Sequence, residues 1–323
     1  MKKILIFKTD RLGDLLNISP IINNLKHNYP SCTITLVCSK YNKSIAEYYH
    51  NDVEFIIFNK PLFFFLIRNI KLIFFKKYDF IFQLDGKNHS YFTSILVNAK
   101  KKVCIRFIKK KKFLGTKVSI IRPNFFINYF FDETELSYED YSIEDNINYH
   151  YLTLYLKLLK KLNIKILSKN HYLPLTNPKK VSKFSDGYCL IHIDERWDKF
   201  PFSVALNLKK KILLLSNSMN IVISSNIGGN KVLKYLINDF YNKTNIEFIK
   251  DTNLHSTISL VYNCSSCISS HSGLIVHTAA AFKKKIIDIV SKDIFNELDR
   301  WIPYNVDYKR LDINNFIEID FNI

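Results

Sequence analysis

The sequence predicts an α/β protein built from two doubly wound parallel sheets, and three observations carry that prediction. An apolar strand, Ile4-Leu5-Ile6-Phe7, runs straight into the turn Lys8-Thr9-Asp10-Arg11-Leu12-Gly13-Asp14 and on into an amphipathic helix. Apolar runs of strand length then alternate with helical patterns as far as residue 105. The same alternation restarts at residue 188. Apolar strands that each hand over to a helix mark parallel sheets covered on both faces.

Taken in order, strand 3–8 leads to a helix over 14–28 with Pro20 near its start and Tyr29-Pro30 at its end. Strand 32–38, a helix over 41–50, strand 53–58 and a long helix from 61 to 77 follow. Phe80-Ile81-Phe82-Gln83-Leu84-Asp85-Gly86 reads as a strand ending in a polar turn, 89–98 as a helix, and Val103-Cys104-Ile105 as a short strand. Residues 115–150 show no period, and the acidic stretch 132–145 reads as a surface loop. After a helix over 147–163, Leu173-Pro174-Leu175 reads as a linker strand. Two domains are therefore expected, 1–170 and 171–323. The second runs strand 188–193, loop 194–202, helix 203–216, strand 220–224, a Gly-Gly loop and helix 230–242. It continues with strand 248–249, helix 255–263, strand 266–269, loop 270–274, helix 275–282 and strand 285–289, with a last strand-like run at 316–319.

Hydrophobic residues make up 47% of the chain and charged ones 24%, which excludes a disordered protein. Lysine and arginine outnumber the carboxylates by 18 formal charges, which points to an anionic partner. No helix-turn-helix, zinc-finger or RNA-recognition motif accompanies that charge, so no nucleic-acid partner is expected. The apolar run after Lys2-Lys3 is about five residues, too short for a signal peptide. A cytoplasmic location with six reduced cysteines is the expectation. Cys264-Ser-Ser-Cys267 lacks a second pair, and no Asp-x-Asp stands at a strand end, so no metal is expected.

Open α/β sheets bind ligands where strands end and helices begin. Asp14 stands at such a helix start, where the macrodipole favours its charged form and suits it to act as a general base. Asp10 is the alternative base. The second such place is Ser269-Ser270-His271-Ser272-Gly273-Leu274-Ile275-Val276-His277, a polar turn opening a helix of small residues, whose free N–H groups can cradle a pyrophosphate. The third is His192-Ile193-Asp194-Glu195-Arg196-Trp197-Asp198-Lys199-Phe200-Pro201, where a cation can stabilise a leaving diphosphate. Gly228-Gly229 after strand 220–224 lets the backbone approach a ligand closely.

These motifs resemble those of the family 9 glycosyltransferases, the ADP-heptose heptosyltransferases of lipopolysaccharide core assembly and their relatives. Lys-Thr-Asp-Arg-Leu-Gly-Asp-Leu-Leu, Ser19-Pro20 and Tyr29-Pro30 fall at the family spacing, and Asp85-Gly86 with Ser90 is similar to its Gly-x-x-x-Ser turn. The 269–281 segment is similar to its Asp-Thr-Gly-x-x-His-x-Ala-Ala element, with His271 in place of the aspartate and one extra residue before His277. Lys199 matches the lysine of a Lys-x-Trp-Pro-like segment, with Asp194 and Glu195 in place of hydroxyl residues.

The resemblance implies the GT-B architecture, two Rossmann-like domains facing a cleft. It also implies an inverting transferase that moves a heptose or related sugar from a nucleotide-diphospho-sugar to a lipopolysaccharide or other cell-surface glycan. Asp14 takes the place of the catalytic base. Lys199, Arg196, His271, Ser272, Gly273, His277 and Gly228 fall to the donor. Lys8, Arg11, Gly13 and Ser90 fall to an anionic glycolipid acceptor. No cofactor beyond the donor substrate is implied, and the Asp299-Arg300-Trp301-Ile302-Pro303 segment is a candidate to close the donor site.

One segment stands apart. Residues 60–77 are aromatic and basic, interrupted by Arg68 and Lys71, and about 15 residues are too few to span a bilayer. They read either as a helix lying in a membrane interface, which would put the protein peripherally at the inner membrane face, or as a helix packed on the sheet with its lysines solvated. A second basic run, 100–102 with Arg106 and 109–112, lies in the same domain. The competing functional reading is a non-catalytic basic protein on the same scaffold, binding anionic membrane or nucleic acid.

Overall fold

The computed structural model describes residues 1–113, 116–122, 129–138, 150–175, 178–185, 187–226, 230–240 and 242–313. Gly228 and Gly229, most of the acidic stretch and the run 316–319 lie outside the described residues. The chain divides into two compact units: Met1–Lys169 with Asp299–Trp301, and Asn170–Leu298 with the residues from Ile302 on. Among the described residues, no helix is long and apolar enough to cross a membrane.

The first unit holds a seven-stranded sheet in the order β3-β2-β1-β4-β5-β6, with β7 also paired to β5. Its strands are β1 Lys3–Phe7, β2 Thr33–Ser39, β3 Val53–Phe58, β4 Tyr78–Gln83, β5 Ala99–Phe113, β6 Thr116–Arg122 and β7 Glu133–Tyr138. Strands β1 to β5 run parallel, and Ile4, Leu5, Ile6 and Phe7 are all buried, as a strand covered on both faces must be. The helices are α1 Leu12–Leu16, α2 Ser19–Asn28, α3 Lys43–Ala46, α4 Leu62–Arg68, α5 Asn88–Leu96 and α6 Tyr151–Lys161.

The structure corrects the sequence reading in four places here. The single helix expected over 14–28 is two, because Pro20 has no N–H and fits only the first turn of a helix, so α2 begins afresh at Ser19. The long helix expected over 61–77 is α4 followed by a wider turn, Lys71–Phe75. Strand β5 has 15 residues rather than three, and it forms an antiparallel hairpin with β6 inside a region expected to be irregular. Residues 133–138 of the expected acidic loop are strand β7, whose Glu133 and Glu135 pair with Lys161 of α6 at 3.5 and 2.9 Å.

The second unit repeats the plan with a six-stranded parallel sheet, β10-β9-β8-β11-β12-β13. Its strands are β8 Tyr188–His192, β9 Ile221–Ser224, β10 Ile246–Ile249, β11 Cys264–Ser269, β12 Lys285–Val290 and β13 Tyr308–Asp312. The helices are α7 Phe202–Ser216, α8 Lys231–Phe240, α9 Leu254–Asn263 and α10 Gly273–Ala281. Alternation along β8 sends Cys189 and Ile191 to the core under α7 and α8, and Tyr188 and Leu190 to the core under α9 and α10. Cys264 and Cys267 lie within β11 as buried free thiols, and burial raises the pKa of both. Residues 173–175 join neither sheet, and β13, which the sequence reading lacked, forms the edge beside β12.

Candidate functional site

Each sheet has one place where the chain order reverses, between β1 and β4 in the first unit and between β8 and β11 in the second. Connections leave in opposite directions there, and a crevice opens at the strand C-termini. The motifs singled out in the sequence fall at these two places.

In the first unit the loop after β1 is tied down from several sides. Asn42, fully buried, donates to the Lys8 carbonyl at 2.9 Å. Asp85, buried after β4, accepts from the Thr9 backbone and hydroxyl at 2.8 Å each, and from the Ser90 hydroxyl at 2.9 Å. Its other oxygen accepts from the Lys87 backbone at 3.0 Å and from Gln83 at 3.1 Å. Burial raises the Asp85 pKa, and the Thr9 donors oppose that rise. Lys8 is 3% exposed and donates to Asp10 at 2.9 Å, the Leu84 carbonyl at 3.1 Å and the Tyr155 hydroxyl at 3.0 Å. Burial alone would lower its pKa, but Asp10, Tyr155 and Asp14 override it and hold the ammonium well above its ordinary value.

A cavity of about 190 Å³ opens over this loop. Its charged floor is Lys8, Asp10, Asp14 and Lys87, and its aromatic walls are Phe107, Tyr151, Tyr155 and Trp301. Tyr151 stacks on Tyr155 with ring centres 6.2 Å apart and meets Trp301 at 5.5 Å. Arg300, buried, lies over the Tyr151 and Trp301 rings at 5.1 and 5.2 Å. Gly86 completes the lining. A Cβ there would stand 3.1 Å from the Phe107 ring, so glycine lets the turn pass beneath it. Asp14 is half-buried and accepts from the Arg11 backbone at 3.4 Å. Burial raises its pKa, Lys8 opposes the rise and Asp10 adds to it. This corrects the dipole expectation: α1 is one short turn, and loss of solvent outweighs what it supplies.

The remaining first-unit candidates sit differently. Ser90 is fully buried with its hydroxyl committed to Asp85 and does not line the cavity. Gly13 is buried inside α1, and Arg11 is exposed at the helix start. Of the 299–303 segment, Trp301 walls the cavity of the first unit.

In the second unit the chain after β8 turns on Asp194, a buried carboxylate. It accepts from the Arg196 backbone at 3.0 Å and holds the Arg196 guanidinium in a close ion pair. Burial raises the Asp194 pKa against the pull of Arg196. Trp197, buried, donates its indole N–H to the His192 carbonyl at 3.0 Å. Lys199 ends the following turn with an exposed side chain. Across the switch point, after β11, His271 takes a left-handed backbone with φ of 44°. Its backbone N–H and ring Nδ1 both meet Asp288 of β12, the ring at 2.8 Å, and the Tyr308 hydroxyl donates to the same carboxylate at 2.7 Å. A carboxylate thus stands behind the histidine, on the next strand.

Ser272 and Gly273 open α10 as expected. His277 does not join them, for it is buried in the middle of the helix with its ring stacked on His171 at 4.9 Å. Asp288, Tyr308, Tyr151 and Tyr155 were missed by the sequence reading. The one available signal was a lone aspartate inside the apolar strand Ile286-Ile287-Asp288-Ile289. Among the described residues, no group of three or more His, Cys, Asp or Glu side chains could hold a metal ion.

No family model matches the sequence, and no curated protein does. Solved structures match in fold. A glycosyl transferase family 9 protein from Veillonella parvula superimposes with a TM-score of 0.69 at 15% identity, over 96% of this chain and 86% of that one. The E. coli heptosyltransferase WaaC, solved with ADP, gives 0.68 at 17% identity over 97% and 95%. A UDP-GlcNAc 2-epimerase from Methanocaldococcus jannaschii gives 0.58 at 14% identity over 100% and 93%. The chain thus has the two-unit α/β fold of GT-B glycosyltransferases and epimerases, and its neighbours include the family that its motifs resemble. A non-catalytic basic scaffold gains no support from these likenesses.

Proposed function

We propose that the protein is a divergent family 9 glycosyltransferase, moving a sugar with inversion from a nucleotide-diphospho-sugar to a glycan acceptor. The observation that carries the proposal is Asp14: a half-buried carboxylate of raised pKa, at a switch point, in a cavity with aromatic walls. Aromatic faces stack on the apolar face of a sugar ring while charged groups take its hydroxyls. Asp14 accepts the proton of the acceptor hydroxyl as that oxygen attacks the anomeric carbon. The raised pKa makes its carboxylate a stronger base than an ordinary aspartate. Charged Lys8 keeps the neighbouring carboxylates in place, and Lys87, exposed on the floor of the same cavity, is the cation open to an anionic glycan acceptor. Arg11 and Gly13 belong to the surroundings of this loop.

The second unit takes the donor. Lys199 and Arg196 meet the developing charge of the nucleotide diphosphate, and the open N–H groups of α10 at Ser272 and Gly273 cradle its phosphates. His271, oriented by Asp288, contacts the donor sugar where the family carries aspartate. Because the WaaC structures hold ADP and an ADP-heptose analogue, ADP-heptose is the first donor to try.

Thermal unfolding with a panel of nucleoside diphosphates and nucleotide-sugars tests this. A ligand that binds only the folded protein raises Tm by mass action. One nucleotide class should raise Tm by several degrees, and Lys199→Ala should lose most of that rise. A panel in which nothing shifts the wild type would sink the donor assignment.

A further inference from the structure

We infer that the outer face of α4 and of the turn after it docks this protein on an anionic lipid bilayer. The inference stands apart from the transferase reading and needs no nucleotide or sugar.

The segment is apolar on both sides. Its inner side chains, Phe65 and Ile73 with Leu62, Leu66 and Leu72, pack on the core under β1 and β4. That accounts for its place in the fold but not for the opposite face. There Phe63 is 67% exposed, Phe64 57%, Ile67 50%, Ile70 48%, Phe74 53% and Phe75 78%. Steps of four, three and four from 63 to 67, 70 and 74 keep these side chains on one stripe of a helix. A contiguous apolar patch of this kind on a folded unit marks a surface that something else covers.

The charges around the stripe say what covers it. From Phe55 to Tyr78 the chain carries Lys60, Arg68, Lys71, Lys76 and Lys77 and not one carboxylate. Four of these cations are exposed, and Lys76 makes a 3.8 Å contact with Glu54. Protein–protein interfaces enrich arginine and deplete lysine, whereas this rim is four lysines to one arginine. Phenylalanines ringed by lysines fit the boundary between acyl chains and anionic headgroups. Residues 62–75 are too few to cross a bilayer, so the helix lies along it. A groove of about 460 Å³ between β3 and α4 opens beside the stripe and carries Lys60 and Arg68 on its lining, placed for headgroup phosphates.

Co-sedimentation of the full chain with vesicles tests the inference, using phosphatidylcholine alone and phosphatidylcholine with about a third phosphatidylglycerol. The wild type should partition onto the anionic vesicles, weakly onto the neutral ones, and less as salt is raised. Phe63→Ser/Phe64→Ser/Phe75→Ser should lose about tenfold or more of that partition. Arg68→Glu/Lys71→Glu should lose severalfold, chiefly at low salt. All five side chains are exposed, so Tm should hold in both variants, and the charge pair still decides the question if the triple variant folds poorly. The inference is overturned by absence of wild-type binding or by equal binding of both variants, which would place the contact on another basic surface. A concentration-dependent dimer that the phenylalanine variant abolishes would overturn it too, giving the face to a second copy of the chain.

Discussion

Asp14 sits between opposed influences, and their balance sets two measurable properties at once. Burial raises its pKa, Lys8 draws it back, and Asp10 pushes it up again, with a net rise. A carboxylate whose folded pKa exceeds its unfolded value contributes stability at low pH and loses it as pH climbs through the folded pKa. Above its folded pKa the ionised Asp14 therefore weakens the fold. Asp14→Asn should lower turnover by about 10²-fold to 10⁴-fold, the usual share of a general base. It should also raise Tm at pH values above the folded pKa of Asp14, and that gain should shrink as pH falls through that pKa and be gone once the ordinary aspartate range is passed. Retained turnover would remove Asp14 from the base role, and a fall in Tm would contradict the pKa argument. The position of this residue was legible, because a glycine turn after an apolar strand leaves few places for a carboxylate. Its charge state was not. That state depends on Lys8 being held by Tyr155, a partner 147 residues away.

At the scale of elements, legibility followed burial. The central strands β1 and β8 are mainly apolar and wholly or almost wholly buried because helices cover both faces, and their ends marked both switch points. Strand β5 was read as three residues because lysines crowd it, and those at its start find partners one by one. Lys100 pairs with Asp79 at 2.8 Å, Lys101 with Asp132 at 2.9 Å, and Lys102 donates to the Ile95 carbonyl at 2.7 Å. No sequence period records such pairings. The joint between β1 and β4 was equally hidden, because Asp85 looked like a turn residue and is the acceptor that holds two loops together. Its five donors leave no oxygen spare. Asp85→Asn would turn an NH₂ group toward donors and leave some of them unpaired. A loss of about 2–4 kcal/mol is expected, which is about 5–10 °C in Tm. If Asp85 fixes the cavity loop, KM for the acceptor should rise even at temperatures where the variant is fully folded. An Asp85→Asn protein with wild-type Tm and KM would show that the loop holds its shape without this carboxylate.

The whole molecule repeats one plan, and each unit hides a histidine that must stay neutral. His89 in the first unit stacks on Phe58 at 3.8 Å and reaches the Thr9 hydroxyl at 3.2 Å. Burial, with Lys87 and Lys60 nearby, lowers its pKa to about 4. His192 in the second unit is 3% exposed, meets the Ser224 hydroxyl at 3.0 Å, and is lowered to about 4 by burial with Arg196 beside it. In the unfolded chain both take up protons near pH 6.5. A base whose folded pKa is depressed contributes stability above its unfolded pKa and loses it as pH falls. The window for both therefore runs from about pH 6.5 down to about pH 4. Below pH 6.5, His192 alone should remove about 1.4 kcal/mol per pH unit until its folded pKa is reached. A net charge of +18 works in the same direction, since each carboxylate protonated at lower pH leaves more uncompensated repulsion. Asp14, Asp85 and Asp194 work the other way, because raised carboxylates gain stability on acidification. Between pH 7 and pH 5 the two histidines are expected to set the slope, since their window spans most of that range. Thermal unfolding over that range should show Tm falling with pH, and His192→Asn, which keeps an amide toward Ser224 and cannot charge, should flatten the fall. If His192→Asn shows the wild-type slope, the proton taken up on unfolding belongs elsewhere in the molecule.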